Sequence, residues 1–258
     1  MEQVKQREWH DQWTLFDDRE EFLFLDWIHP ATLEDFRGMD VLECGCGGGQ
    51  HTRLVASQAS SITAVDLNTI DIARERTRQF PNVTFVEADI ATMELGRQFD
   101  IVFSIGVIHH TDDPDKTAAN LTKHVKSGGR LIIWVYSKEG NALVRWGVEP
   151  IRRLLLRGAS PKFLLWLSRF ITAAMYLPIY TVYLLPLRFL PFYEYFRNFR
   201  MLDFNRNVLN VFDKLSAPQV EFIDEARIHR WFEQDNAFSA VHISRYCGVS
   251  WRGSGIKR

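Results

Sequence analysis

Cysteine is scarce in this chain: 258 residues contain three, Cys44, Cys46 and Cys247. Cys44 and Cys46 form a C-x-C inside a glycine-rich stretch, with no second pair to complete a tetrahedral zinc site, so no metal centre is expected. The odd count, with no disulfide framework, points to a reducing cytoplasm. Excess charge is lacking as well. The 31 Lys and Arg against 32 Asp and Glu leave a net charge of −1, which supplies no general attraction to nucleic acid. The first ten residues hold no apolar core of the kind a secretion signal needs. The run 170–187 has 18 uncharged residues, near the lower limit for a bilayer span, but Pro178 and Pro186 interrupt it, so no transmembrane helix is expected. Internal repeats and low-complexity linkers are absent.

What is present is apolar and patterned. Nearly half the residues are hydrophobic and 24% are charged, enough for a sizeable core with a solvated surface. From about residue 40 to 136, short β-type runs alternate with helical patterns. Strands are expected at 41–42, 61–66, 83–86, 99–104 and 130–136. Helices are expected at 50–58, 69–79 and 114–126, the last stopping at Gly128-Gly129. Such alternation predicts an α/β fold, a doubly wound, mostly parallel sheet covered by helices on both faces. A helix at 218–234 and two closing strands at 238–244 and 248–251 complete it. Residues 1–37 read as an aromatic-rich lead-in anchored by Trp9, Trp13, Phe16, Phe22, Phe24 and Trp27.

The sharpest cluster is Glu43-Cys44-Gly45-Cys46-Gly47-Gly48-Gly49, between the first strand and a helix. Glycine there allows positive φ and lets a ligand approach bare backbone. In a doubly wound sheet that turn borders the crevice where nucleotides bind. Asp66 ends the second strand 21 residues after Gly45, where a carboxylate can accept hydrogen bonds from both hydroxyls of a ribose. A dinucleotide fingerprint G-x-G-x-x-G begun at Gly45 would need glycine where Gln50 stands, which disfavours a nicotinamide enzyme.

The chain reads E-x-G-x-G-x-G, and in this it resembles the class I S-adenosylmethionine-dependent methyltransferases. The resemblance continues through Glu87-Ala88-Asp89-Ile90, through 99–104 with Val107-Ile108-His109-His110 after it, and through Ser127-Gly128-Gly129-Arg130-Leu131. Ser127 stands where that family commonly has proline. The resemblance implies a Rossmann-like seven-stranded sheet and S-adenosylmethionine as cofactor, released as S-adenosylhomocysteine. It implies a cofactor site drawn from Glu43, Gly45, Cys46, Gly47, Gly49, Asp66, Leu67, Asp89, Ile90, Ser104 and Gly106. Asp66 would hold the ribose, Asp89 the adenine edge and Glu43 the methionine amino group. Asp100 is expected to have a structural or capping task. His109 and His110 are the candidate proton acceptors, since histidine titrates near neutral pH, although aligning donor, methyl and acceptor can suffice for methyl transfer.

Between 141 and 200 the composition changes. Nine Arg and Lys face two Glu, a net charge of +7 that leaves −8 for the rest of the chain, and 13 of the 34 aromatic residues fall there. The S-adenosylmethionine-binding domain is therefore expected at 38–140 and 215–258, with 141–214 inserted as a basic, aromatic helical cap. Such a cap suits a small-molecule, amphipathic or lipid-linked acceptor. It is also suited to rest on an anionic membrane surface, with Arg near headgroups and aromatic side chains at the interface. A cytoplasmic enzyme touching the inner membrane face, and a homodimer formed through the aromatic residues of the cap, are the corresponding expectations. An RNA methyltransferase and a non-catalytic cofactor-binding scaffold are the competing readings. The first is weakened because no RNA-binding module is appended.

Overall fold

The computed structural model describes residues 6–156 and 158–258. The alternating pattern is realised as β1 (Asp40–Cys44), α3 (Gln50–Ala56), β2 (Ser61–Asp66), α4 (Ile70–Arg76), β3 (Val83–Glu87), β4 (Phe99–Ile105), α5 (Pro114–Lys123) and β5 (Val125–Tyr136), preceded by α1 (Arg7–Leu15) and α2 (Glu21–Ile28). The seven-stranded sheet has the order β3-β2-β1-β4-β5-β7-β6. β1 to β5 run parallel, while β7 (Ser250–Lys257) lies antiparallel to both β5 and β6 (Phe238–Tyr246).

Successive strand residues point to opposite faces, which is why runs such as Val41-Leu42 are apolar throughout. Val41, Ile62, Ala64, Ile101 and Phe103 join Phe24, Ile28 and Phe36 in the core on one face. Leu42, Val65, Val102, Leu131 and Ile133 meet Leu121, Ile228 and Phe232 on the other. Each fully buried side chain of this kind contributes about 1.5–3 kcal/mol. Strand order reverses between β1 and β4, so a crevice opens at the carboxyl ends of these two strands.

Three expectations need correction. Gly128-Gly129 does not stop the helix. α5 already ends at Lys123, and the glycines lie inside β5, where pairing with β4 shifts register between Phe99 and Ile101 and Gly128 takes a positive φ of 78°. The helix expected over 218–234 is confined to α10 (Glu225–Glu233). Asp224 caps it by accepting from the Arg227 N–H, and Ile223 before it bridges to Ser137. The last strand is longer than expected, because Gly253 and Gly255 leave room for the Phe232 ring against the sheet.

Between β5 and α10 the chain is helical: α6 (Glu149–Ile151) flanked by π-type turns, α7 (Pro161–Ile179), α8 (Tyr193–Phe199) and α9 (Phe204–Ser216). Ser160 and Asp203 cap α7 and α9 by accepting from Phe163 N and Arg206 N. Leu164 of α7 packs on Val211, Phe212 and Leu215 of α9. Among the described residues, α7 alone is long and apolar enough to cross a membrane by length and composition, at a mean hydropathy of 1.2. Its inner side is nevertheless seated on α9.

Candidate active site

Two adjoining cavities lie at the carboxyl end of the sheet. The first, of about 560 Å³, is bounded by the β1 turn, the ends of β2 and β4, and α1 lying across the top. Gly45 and Gly47 have φ of 84° and 52°. A Cβ on Gly45 would stand 2.4 Å from Val107, and one on Gly47 would stand 2.9 Å from the Trp13 ring. The turn therefore needs glycine for both conformation and space.

Asp66 organises this end of the sheet. Its Oδ2 accepts from Gly47 N at 3.0 Å and its Oδ1 from Asn68 N at 2.8 Å. Burial raises its pKa, while the two backbone N–H groups oppose the rise. Thr69 adds a side-chain and a backbone hydrogen bond to the same carboxylate. Asp89 holds its loop through Ala91 N at 2.9 Å. Asp100, as expected, is structural: it accepts from Lys126 Nζ at 2.7 Å and from Asp40 N at 2.9 Å.

Gly45, Gly47, Asp66, Leu67, Asp89, Ile90 and Gly106 line this cleft. Glu43, Cys46, Gly49 and Ser104 stand in the layer behind its wall. Glu43 is buried under the turn and accepts from Thr52 Oγ1 at 2.6 Å. Desolvation raises its pKa to about 8, against the Thr52 bond and helped by the Asp66 charge. Cys46 is fully buried in the core, Gly49 packs against Ala73 and Thr77, and Ser104 donates to the Cys44 carbonyl at 2.9 Å. Gln50, the residue that breaks the dinucleotide fingerprint, lines the cleft, and its buried Oε1 has no hydrogen-bond partner among the described residues.

The two histidines part ways. His109 is fully buried, packed 4.2 Å from the Tyr136 ring and off the cleft wall. Burial first, then His110 and Lys214, hold its pKa well below 6.5, so it is neutral. His110 lines both cavities. Its Nδ1 lies 2.7 Å from the Gln219 carbonyl. A carbonyl only accepts, so Nδ1 carries the hydrogen and the neutral ring leaves Nε2 as a bare acceptor. Burial lowers the pKa of His110, with Asp213 pulling the other way.

The lead-in, expected only to anchor, roofs the cleft. Trp9 packs on His110 with ring centroids 4.7 Å apart. Gln6 N donates to Asn68 Oδ1 at 2.8 Å, Arg76 to the Trp13 carbonyl at 2.6 Å, and His10 meets Asp71 at 3.1 Å. His51 at the inner end stacks on Phe24, and burial with two nearby arginines depresses its pKa to about 3.

The second cavity, of about 260 Å³, shares Trp27, His110, Trp134 and Tyr136 with the first and runs under α7, α8 and α9. Its wall is largely apolar, with Ile171, Met175, Phe196 and Phe199 at the α7–α8 end. Its polar groups include His110, Glu149, Tyr136, whose hydroxyl donates to Asp213 Oδ2 at 2.8 Å, and the α9 residues Arg206, Asn210, Asp213 and Lys214. Spacings of three and four place the last four on one helical face, a pattern present in the sequence at 206, 210, 213 and 214.

Residues 42–133 match the family described as Methyltransferase domain. A ubiquinone biosynthesis O-methyltransferase of Pseudomonas entomophila is 27% identical over 143 residues, covering 53% of this chain and 61% of that protein. An uncharacterized Synechococcus protein is 33% identical over 122 residues, 44% of this chain and 29% of its own length. The chain thus spans less than two thirds of these relatives. Magnesium protoporphyrin IX methyltransferase from Synechocystis shares the fold over 96% of this chain and 94% of its own, with a TM-score of 0.53 at 15% identity. N-methyltransferase NodS from Bradyrhizobium japonicum does so over 93% and 98%, with a TM-score of 0.51 at 14% identity. Over residues 42–133 the chain is thus similar to a methyltransferase domain, and its α/β fold is the one these two structures share.

Proposed function

We propose that this chain transfers a methyl group from S-adenosylmethionine to a small amphipathic acceptor seated under the cap, with His110 taking the acceptor proton. The observation that carries the reading is the pair of joined cavities, one beside Asp66 and the glycine turn, one apolar, with His110 common to both walls. The residues fit the cofactor. The Asp66 carboxylate lines the cleft where a ribose hydroxyl would meet it, the Gln50 amide oxygen lacks a partner among the described residues, and the Gly45 backbone is bare where a Cβ would clash. Leu67, Asp89 and Ile90 would flank the adenine, and Gly106 with Gly47 the remainder.

When bound, S-adenosylmethionine supplies a sulfonium methyl group open to in-line nucleophilic attack and leaves as S-adenosylhomocysteine. The chain aligns the acceptor by packing it among Trp27, Trp134 and Tyr136, which also keep water out. His110 Nε2 accepts the proton that the acceptor hydroxyl or amine loses as the new bond to carbon forms. Trp27 supports recognition of an oxygen, because its buried Nε1–H has no partner among the described residues and its side chain lines both cavities. The name of the Pseudomonas relative points the same way. Methyl transfer from labelled S-adenosylmethionine to alkyl catechols and alkylamines tests the reading. Binding of S-adenosylhomocysteine with no turnover across that panel would leave a cofactor-binding scaffold.

A lipid-linked acceptor, reached at the cytoplasmic face of a membrane, extends the proposal. Phe163, Trp166, Phe170 and Leu177 form an exposed stripe on the outer side of α7, with the first three rings stacked about 6 Å apart. Arg145, Lys162, Arg169 and Arg188 on the same segment have no carboxylate partner among the described residues. Aromatic and basic side chains together suit an anionic bilayer surface. Flotation with anionic but not neutral vesicles is expected. If the chain stays in solution and sediments as a dimer, the stripe joins two copies instead.

A further inference from the structure

The acceptor cavity contains a cation, Lys214, that forms no ion pair with a carboxylate among the described residues. Four charged residues line it: Glu149, Arg206, Asp213 and Lys214. Glu149 is occupied by Arg152 at 2.7 Å and Arg153 at 3.5 Å. Arg206 is held by Asp18 at 2.9 Å. Asp213 accepts from Tyr136 at 2.8 Å and faces Gln12 Nε2 at 3.5 Å. Lys214 has no carboxylate partner among the described residues. Its Nζ donates to the Asn210 carbonyl at 3.2 Å and the Tyr195 hydroxyl at 3.3 Å, and it lies 5.6 Å and 5.4 Å from the centres of the Tyr136 and Tyr195 rings.

An ammonium has three hydrogens to donate, and two acceptors here are neutral and at the long end of hydrogen-bond range. Lys214 is half-buried beside an apolar wall, where a bound anion would gain more from the ammonium than it would in bulk water. Aromatic faces attract a cation but leave its hydrogens free. Tyr136 also borders the cofactor cleft, so a group paired with Lys214 would sit near the site of methyl transfer rather than at the far apolar end.

We propose that Lys214 binds an anionic oxygen group on the methyl acceptor, a carboxylate or phosphate close to the methylated atom, with the acceptor's apolar part lying along Ile171, Met175 and Phe196. This inference rests on the methyltransferase reading and narrows the substrate class to amphipathic anions. Lys214 is then a specificity-determining residue and need not take part in the chemistry.

The experiment is calorimetry on the S-adenosylhomocysteine-loaded protein with octyl phosphate, octanoate and octanol. Phosphate and carboxylate arms separate the two sources of charge, and octanol removes it. At least one anion is expected to bind ten-fold or more tighter than octanol. Lys214→Met should abolish that preference with S-adenosylhomocysteine affinity unchanged, and Lys214→Arg should restore it in part. Equal binding of all three probes, no binding of any, or a preference that survives Lys214→Met overturns the inference while the cofactor reading stands. Failure to load S-adenosylhomocysteine overturns both.

Discussion

His110 donates its Nδ1 hydrogen to the main-chain carbonyl of Gln219 at 2.7 Å, while the Gln219 side chain returns a hydrogen bond to the His110 carbonyl at 2.8 Å. This reciprocal pair fixes both tautomer and ring orientation, and under the proposed mechanism the bare Nε2 is the atom that would take the proton. A positioned base of this kind contributes about 10²–10⁴-fold. His110→Gln should lower kcat by about 10²-fold and leave S-adenosylhomocysteine affinity intact. Because burial lowers the His110 pKa, the acid limb of kcat should fall at a pH below 6.5. Full activity in His110→Gln would mean that alignment alone drives the reaction.

Gly47 adopts a φ of 52° directly beneath Trp13. An L-residue there costs about 1–2 kcal/mol in backbone conformation, and the new Cβ also presses on the indole. Gly47→Ala should lower the urea midpoint and weaken S-adenosylhomocysteine binding together. Wild-type values for both would show that α1 does not close tightly on the turn.

Glu43 is raised to about 8 by burial, whereas it ionises near 4.5 once unfolded. The folded state therefore keeps a proton that the unfolded state releases, and stability falls as pH rises from 4.5 to 8. Glu43→Gln retains an acceptor for Thr52 and removes the titration. It should stabilise the protein at pH 8 by about 1–3 kcal/mol, the scale of a buried polar group's desolvation. Destabilisation at pH 8 in urea titrations would mean that Glu43 is ionised and paired.

His51 moves in the opposite sense. Its folded pKa is depressed to about 3 from 6.5, so protons bind the unfolded state first and stability is lost as pH falls below 6.5. One such histidine costs about 2 kcal/mol at pH 5. Measured in the Glu43→Gln background, His51→Asn should flatten the loss between pH 7 and 5. An unchanged slope would place the acid sensitivity elsewhere, with His109 the next candidate.

Much of the α/β half was legible because its residues answer to local rules. Burial on both faces of a parallel sheet makes strands such as 131–133 apolar throughout, and a glycine turn followed by Asp66 at a strand end has few other uses. The depth of each motif residue was not legible. Glu43 and Asp66 are both acidic strand-end residues, yet β1 is central and its side chain points under the turn, while Asp66 borders the opening. His109 and His110 are adjacent, and a single 3₁₀ turn sends one into the core and the other to the cavities. The roof formed by α1 and the polar face of α9 depend on contacts 60 to 200 residues apart in sequence, such as Gln12 with Asp213. No window of local pattern could reveal those.

The central claim is the cofactor, and calorimetric titration with S-adenosylhomocysteine, with NAD as control, tests it most directly. The account predicts binding of S-adenosylhomocysteine alone, weakened in Asp66→Ala by about 1–3 kcal/mol, the scale of lost charge-assisted hydrogen bonds. Absence of binding in folded protein, or equal affinity in Asp66→Ala, would contradict it.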